Sequence, residues 1–531
     1  MALSARLRPP RRRVTRARSG AAWRETLDRS FAEIAEDLGE VETLAADAAE
    51  CLGRAGRNLV HHRRDLHGDS LDLIEEHLRR LVSAYDAIRR DAGERRLDAE
   101  RGRRSPELLA GLASERGGLA DRLRTLQGIS AATMTASEWQ SPSFAHSGRP
   151  NAGVCTGDVR PHVDDYRRDR HPDAAAFEAR YLTEYVEPVD GLPLRVLVTS
   201  CGMAAFTTIL GFLQMEGRLN GPVVLGASTY HECRDLVRGM VPTNRLVEAS
   251  EHPADALPGA IGRSRPVAVF LDSVGNAPGT LVTDVSAVLR ALDAAGRPSY
   301  LVLDNTALTC AFQPFGLMTR RAGVARLIVF ESLTKYAQFG LDRVSGGVIV
   351  AESADAEHLD RYREHLGTNI ADAAVHAIPR PNRRALERRL LRLERNAIVL
   401  AERIDGAAKL TGKRVVAGAD HPGLDDHPSC ELAGSLRFRS GWLSVAFSPR
   451  FDLPDTHHRF VDIALDEARR RHVPLVAGAS FGLDTTRVYP TARTSRFGRP
   501  FVRVSPGIEH ACAIDAVAAV FTSAVERIAA G

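Results

Sequence analysis

The sequence predicts an α/β protein, with a mostly parallel sheet covered by helices on both faces, a smaller C-terminal α/β domain and an N-terminal α-helical extension. Three observations carry this. Six apolar runs, "LRVLVTS", "PVVLGAS", "PVAVFLDS", "SYLVLDN", "RLIVFES" and "GGVIVAE", alternate with helical stretches such as "GMAAFTTILGFLQME" and "VTDVSAVLRALDAAG". Near-continuous apolar strands separated by helices belong to a parallel sheet buried on both faces. Ahead of them, Leu27, Phe31, Ile34, Leu38, Val41 and Leu44 recur every three or four residues, the spacing of an amphipathic helix. Behind them, the long helical pattern "RRALERRLLRLERNAIVLAERI" gives way to mixed α/β character.

The 531-residue length is enough for two or three domains. With 44% hydrophobic and 26% charged residues the composition is that of a soluble globular protein. No apolar run reaches the roughly 18 residues that cross a membrane. A net charge of +4 does not point to a nucleic-acid partner.

Taken in order, residues 1–22 read as a basic disordered arm, since "ARLRPPRRRVTRARSG" carries arginines and no acid. It lacks the apolar core of a secretory signal, and a transit peptide is the alternative reading. Residues 23–140 form the helical extension, with a second stripe at Leu73, His77, Leu81 and Ile88. "DAGERRLDAERGRRSPE" is read as a connector before "LLAGLASERGGLADRLRTL" resumes the helical spacing. The extension holds no catalytic motif and is expected to pack on the core or on a neighbouring subunit. Residues 141–165, rich in Ser, Pro and Gly, read as a linker. Residues 166–385 form the large domain and 386–531 the small one. The seven cysteines are scattered with no Cys-x-x-Cys pair. Neither a disulfide framework nor a metal site is expected, and a reducing cytoplasm fits.

Ligands of such sheets sit at the carboxyl ends of the strands, and three loops there carry chemistry. "VTSCGMAAF" opens a helix, so the N–H groups near Gly202 and Met203 can receive a phosphate, although a glycine there can also be steric. Asp304 ends the strand of "LVLDNT", as a cap or as an acid. Lys335 follows "FESLT", with Ser332 and Thr334 beside it. It can be a surface lysine, a phosphate ligand or a carbonyl trap whose amine desolvation activates. Together the three supply what pyridoxal 5'-phosphate (PLP) needs: an anion cradle, a partner for the ring nitrogen and a Schiff-base lysine.

In these motifs the chain resembles the Cys/Met-metabolism PLP-dependent enzymes, a family that includes cystathionine γ-synthase, cystathionine lyases and methionine γ-lyase. The resemblance runs from about Tyr166 to the C-terminus and implies the fold of type I PLP-dependent transferases. "SCGMAA" implies Ser200, Gly202 and Met203 near the phosphate; "VVLGASTYHEC" implies that Tyr230 stacks on the ring; "FLDSVGNAP" places Asn276 beside the phenolic oxygen. "LDNT" gives Asp304 to the ring nitrogen, and "SLTKY" gives Lys335 to the Schiff base with Ser332 and Thr334 on the phosphate. "DYRRDRHPDAAAFEARYL" is similar to a stretch lent to the neighbouring subunit's phosphate, so Tyr166 and Arg168 imply a homodimer or homotetramer. "FVRVSPGIEH" implies that Arg503 grips the substrate α-carboxylate, with Ser480 of "ASFG" beside it.

The chain departs from the family where a substrate side chain is expected: at His231, Glu232 and Cys233, in "AQFGLDRVSGG", and in "GLDTTRVYP". The activity implied is γ-elimination or γ-substitution on an amino acid with a γ-leaving group, such as a homoserine ester, cystathionine or a γ-halogenated amino acid. Lys335 would move the Cα and Cβ protons and Tyr230 the leaving group's proton. The alternatives are β-elimination of a cystathionine- or cysteine-like substrate and a PLP-binding regulator.

Overall fold

The structure, a computed structural model, describes residues 20–59, 68–137, 172–318, 323–493, 495–496 and 498–531. Within the expected arm only Gly20 to Ala22 are described, and they open the first helix. The expected linker, Tyr166 and Arg168 lie outside the described residues.

Three long helices form the extension: α1 (Gly20–Leu59), α2 (Gly68–Arg101) and α3 (Pro106–Ser137). The stripe read along α1 is its buried face, with Phe31 and Leu38 fully enclosed. On α2 the structure corrects the reading. The buried positions are Leu71, Leu78, Leu81, Tyr85, Ile88 and Ala92, whereas Leu73 is 58% exposed and His77 also faces outward. Tyr85 moves the stripe by offering a larger apolar surface, and its hydroxyl is satisfied inside at 3.0 Å from Ser130 Oγ. The connector expected over "DAGERRLDAERGRRSPE" is mostly helix as well, leaving only 102–105 between α2 and α3. Its Ala, Glu, Arg and Leu are strong helix formers. Ala92 and Ala99 are buried there, and Arg96 pairs with Glu100 one turn on.

Helix α4 (Pro172–Tyr185) leads into a seven-stranded sheet ordered β1-β7-β6-β5-β4-β2-β3. Its strands are β1 (Leu194–Thr199), β2 (Val223–Gly226), β3 (Leu246–Ala249), β4 (Ala268–Asp272), β5 (Ser299–Asp304), β6 (Ala325–Ser332) and β7 (Gly347–Glu352). All six strand-like runs are strands. The four-residue edge strand β3 has no fully buried position and so lacks the apolar run that marked the others. Pairing is parallel except around β7, which is antiparallel to both β1 and β6. The connection from β6 to β7 carries only the short 3-10 helix Tyr336–Gln338 and no crossover α-helix, so the chain returns antiparallel.

A second, five-stranded sheet is ordered β10-β11-β12-β9-β8. It comprises β8 (Val416–Asp420), β9 (Leu443–Phe447), β10 (Val476–Ala477), β11 (Arg487–Thr491) and β12 (Phe501–Ser505). The long helix Arg383–Leu410 and the C-terminal helix Ala511–Ala530 close a core of its own around Leu400, Ile404, Val445, Phe460 and Phe521.

The extension shares a continuous apolar core with the large sheet. It is also joined to the long helix by an ionic ladder: Glu40 to Arg389 at 2.9 Å, Glu36 to Arg392 at 2.8 Å, and Glu33 to Arg395. The numbers fall on one side as they rise on the other, so the two helices run antiparallel. Glu33 and Ser30 also accept the first N–H groups of the C-terminal helix, from Ala511 at 2.8 Å and Cys512 at 3.0 Å. An acid there satisfies donors that the helix cannot satisfy itself. Phe31→Ala, which empties a fully buried site beside this junction, should cost about 3–5 kcal/mol in denaturant unfolding. A loss below about 0.5 kcal/mol, typical of a surface change, would contradict this packing.

Candidate active site

The chemistry-bearing loops meet at the carboxyl edge of the large sheet. Strands β4, β5 and β6 pair in parallel, with Asp272 opposite Asp304 and Asp304 opposite Phe330. One strand end therefore delivers its residue beside the next. Above this edge lies a cavity of about 650 Å³. Gly202, Met203, Tyr230, Asn276, Asp304, Ser332, Thr334, Lys335, Ser480 and Arg503 all line it. Ser200 does not; its N–H is bonded to the Thr368 carbonyl, and Cys201 takes the lining position.

Helix α5 (Gly202–Met215) begins at the cavity with Cys201 as its cap, the Sγ accepting from Ala204 N at 3.3 Å. The N–H groups of Gly202 and Met203 are first-turn donors with no carbonyl of their own helix to bond. A Cβ on Gly202 would stand 2.7 Å from Ser332 Cβ, and one on Gly347 would stand 2.3 Å from the Cys201 carbonyl oxygen. Only glycine lets the helix start lie this close to the strand end. Ser332 Oγ and Thr334 Oγ1 are 2.8 Å apart on the facing side. Two N–H donors and two hydroxyls around one space suit a phosphate.

Lys335 is held at the cavity floor, its Nζ 3.3 Å from Ser480 Oγ and 5.4 Å from the Phe481 ring centre. Burial pushes its amine down to about 8, and the positive charge of Arg503 acts the same way. Burial pushes Asp304 up to about 6, against hydrogen bonds from Thr306 and the charge of Lys335. Thr306 donates its N–H to Asp304 Oδ1 at 2.9 Å, while its Oγ1 accepts from Ser332 N, also at 2.9 Å. The acid and the hydroxyl cradle are thereby locked together. Arg503, on β12, is buried and has its guanidinium pushed down to about 10 by that burial. It donates to Asn276 Oδ1 at 2.9 Å and lies 5.3 Å from the Phe481 ring centre, so Arg503 and Lys335 both lie against the same ring.

Tyr230 caps the helix His231–Met240. Burial raises its phenol well above the ordinary value, with the nearby Glu232 carboxylate, which accepts its hydrogen bond, acting in the same direction. His231, Glu232 and Cys233 line the cavity too. Reading by motif missed Asp272, which also faces the cavity. Its Oδ2 accepts from Tyr230 N at 3.0 Å, and its Oδ1 is buried with no hydrogen-bond partner among the described residues. The signal was present, since Asp272 ends its strand as Asp304 does. The donor set, the acid at a strand end and the desolvated amine fit PLP.

A half-buried, desolvated lysine, an acid and an anion cradle at this edge of such a sheet define a PLP-dependent enzyme of fold type I. The chain belongs to the Cys/Met metabolism PLP-dependent enzymes, whose sequence profile matches residues 131–463. Ser480 and Arg503 lie beyond that match. The bifunctional enzyme flvA of Aspergillus flavus is 24% identical over 368 residues, which make up 68% of this chain; the chain spans 43% of that protein's length. Among solved structures, cystathionine gamma synthase of Xanthomonas oryzae pv. oryzae, in complex with aminoacrylate and cysteine, is 22% identical with a TM-score of 0.55. The alignment covers 70% of this chain and 89% of that one. Apo CalE6, a methionine gamma lyase of Micromonospora echinospora, is 23% identical with a TM-score of 0.53, over 69% of this chain and 89% of that one. Among the described residues, no helix is long and apolar enough to cross a membrane.

The buried amine gives a pH-dependent expectation. Only the neutral amine attacks a carbonyl, and its proton leaves near 8 instead of 10.5. Capture of PLP by the apoprotein, followed by absorbance, should rise with pH through a midpoint near 8 and level off about one unit above it. A midpoint near the ordinary lysine value would mean that the amine is solvated.

Proposed function

We propose that this enzyme catalyses γ-elimination or γ-substitution on an amino acid carrying a γ-leaving group: a homoserine ester, cystathionine or a γ-halogenated amino acid. The observation that carries the reading is the convergence of Lys335, Tyr230 and Arg503 on one cavity. These are a proton carrier, a second acid and a carboxylate grip. The similarity to proteins described as a gamma synthase and a gamma lyase supports it.

When bound, PLP supplies the sink for the electrons released at Cα. Gly202, Met203, Ser332 and Thr334 would hold its phosphate, with Ser200 next to the lining residue Cys201 in sequence, and Asp304 would hold the proton on its ring nitrogen. Arg503 takes the substrate α-carboxylate, its orientation set by Asn276 and its neighbour being Ser480. The amine of Lys335, neutral for much of the time near pH 8, takes the Cα proton, and it must pass that proton on before it can take one from Cβ. Tyr230 would cover the ring, and its phenol, aimed by Glu232, would protonate the departing γ-group. The family resemblance assigns Tyr166 and Arg168 to the phosphate of a neighbouring copy, and on that assignment the working unit is at least a homodimer.

Borohydride treatment of the yellow holoprotein should fix PLP on Lys335, read by peptide mass spectrometry; recovery on another lysine would sink the assignment. With cystathionine, γ-cleavage releases 2-oxobutanoate and cysteine, whereas β-cleavage releases pyruvate and homocysteine. Pyruvate as the main oxoacid would replace the γ-reading with the β-lyase one. Asp304→Ala should keep PLP but lower kcat by about a hundredfold or more, the scale of removing one preorganised electrostatic group. Lys335→Ala and Arg168→Ala proteins, each inactive alone, should regain activity when their subunits are exchanged. No recovery after proven exchange would place the whole site within one chain.

A further inference from the structure

The extension reaches the two loops that carry Lys335 and Ser480. Four residues past Ser480, Asp484 is enclosed by cations from two separate parts of the chain. Arg116, on α3, donates Nη1 to its Oδ2 at 2.5 Å. Arg389, on the long helix, donates Nη2 to its Oδ1, and the same nitrogen lies 3.4 Å from the Gly482 carbonyl. Arg389 is in turn fixed by Glu40 of α1. The arginine side chains are 9% and 1% exposed, so these bonds are shielded from water and salt.

Further along α3, Arg124 donates to the main-chain carbonyls of the turn after Lys335, to Leu341 at 2.6 Å and Gly340 at 3.3 Å. That turn has left-handed backbone at Phe339 and Gly340, where φ is 52° and 80°. The two loops also press on each other. A Cβ on Gly482 would lie 3.0 Å from the Lys335 carbonyl carbon, and one on Gly340 would lie 2.0 Å from Asp484 Oδ1. A shift of either loop therefore moves the other.

We propose that Arg116 and Arg124 of the helical extension are positioning residues for the active site, holding loop 480–484 and turn 339–341 so that Ser480 and Phe481 enclose the Lys335 amine. The extension is then a brace for the site as well as a packed appendage. Its charges touch neither substrate nor cofactor; they act through Asp484 and two carbonyls. The inference rests on the assignment of Lys335 as the PLP lysine.

The test uses the full chain in its apo form and PLP itself as probe. Arg116→Ala and Asp484→Asn should free loop 480–484 and admit water to Lys335. The pH midpoint of PLP capture should then move up from about 8 toward the ordinary 10.5, by about half a unit or more. Arg124→Ala, which removes the two hydrogen bonds to the turn together with an exposed pair to Asp121, should shift it the same way and supplies a reading if Arg116→Ala does not fold. Arg116→Lys should restore part of the shift. Arg122→Ala, also on α3, breaks an exposed pair with Asp91 of α2 and should leave the midpoint unchanged. The groups charging the surroundings of the amine, Arg503, Asp342, Asp304 and Glu232, are intact in every variant. If Arg116→Ala, Asp484→Asn and Arg124→Ala melt earlier but keep the wild-type midpoint, the extension only stabilises and the proposal is overturned. Reduction of wild-type protein that fixed PLP away from Lys335 would overturn the site assignment and this inference together.

Discussion

A lysine amine kept out of water is costly, and the architecture around β6 is arranged to tolerate that cost. Desolvation favours the neutral amine, and the positive guanidinium of Arg503 adds to the same effect. The opposing acids are few, and the one at the neighbouring strand end, Asp304, is itself pushed toward its protonated form by burial. An amine in this setting stays near neutrality only while its walls stay in place. Ladder pairing of β4, β5 and β6 holds one wall, and the loop from Ser480 to Asp484 holds another. The polar floor, the close glycine contacts and the buried ion network serve that condition.

The parallel sheet was legible because burial on both faces leaves a plain mark, a run of apolar residues ending in a polar loop. The carboxyl-end loops were legible for the same reason, and ten of the residues singled out line one cavity. Local periodicity was weaker evidence in the extension. On α2 the true face differs from the apparent one because Tyr85, a residue with a polar tip, takes an interior position where Ser130 satisfies it. The presumed connector is helix because its charges pair along the helix surface while Ala92 and Ala99 turn inward. Asp272 escaped notice because an acid at a strand end is ordinary in sequence; only its orphaned buried oxygen marks it out.

The contacts of Arg116 and Arg389 with Asp484 span separations of 368 and 95 residues. Nothing in the local pattern of "ASERGG" or "GLDTT" announces them. Burying such charges is costly unless every partner is present, and here Glu40, Asp484 and two arginines come from three parts of the chain. The lock closes only when all three have folded against one another. Helices α1 and α3 therefore bear on the site although no residue of theirs lines the cavity.

The antiparallel return of β7 also sets an order of assembly. Strand β1, which ends at the turn leading to the anion cradle, finds its partner not in its neighbour along the chain but in β7, with Thr199 opposite Gly347. About 150 residues separate the two, and contacts so distant in sequence form slowly because the intervening chain must first be gathered. The hairpin of β6 and β7 can form with the lysine loop already in place, yet the phosphate-facing end of α5 reaches it only once β1 has docked. Until that pairing is made, the reactive amine has beside it only the hydroxyl half of the anchor, from Ser332 and Thr334. Firm retention of the cofactor has to wait until the sheet is closed at its far edge.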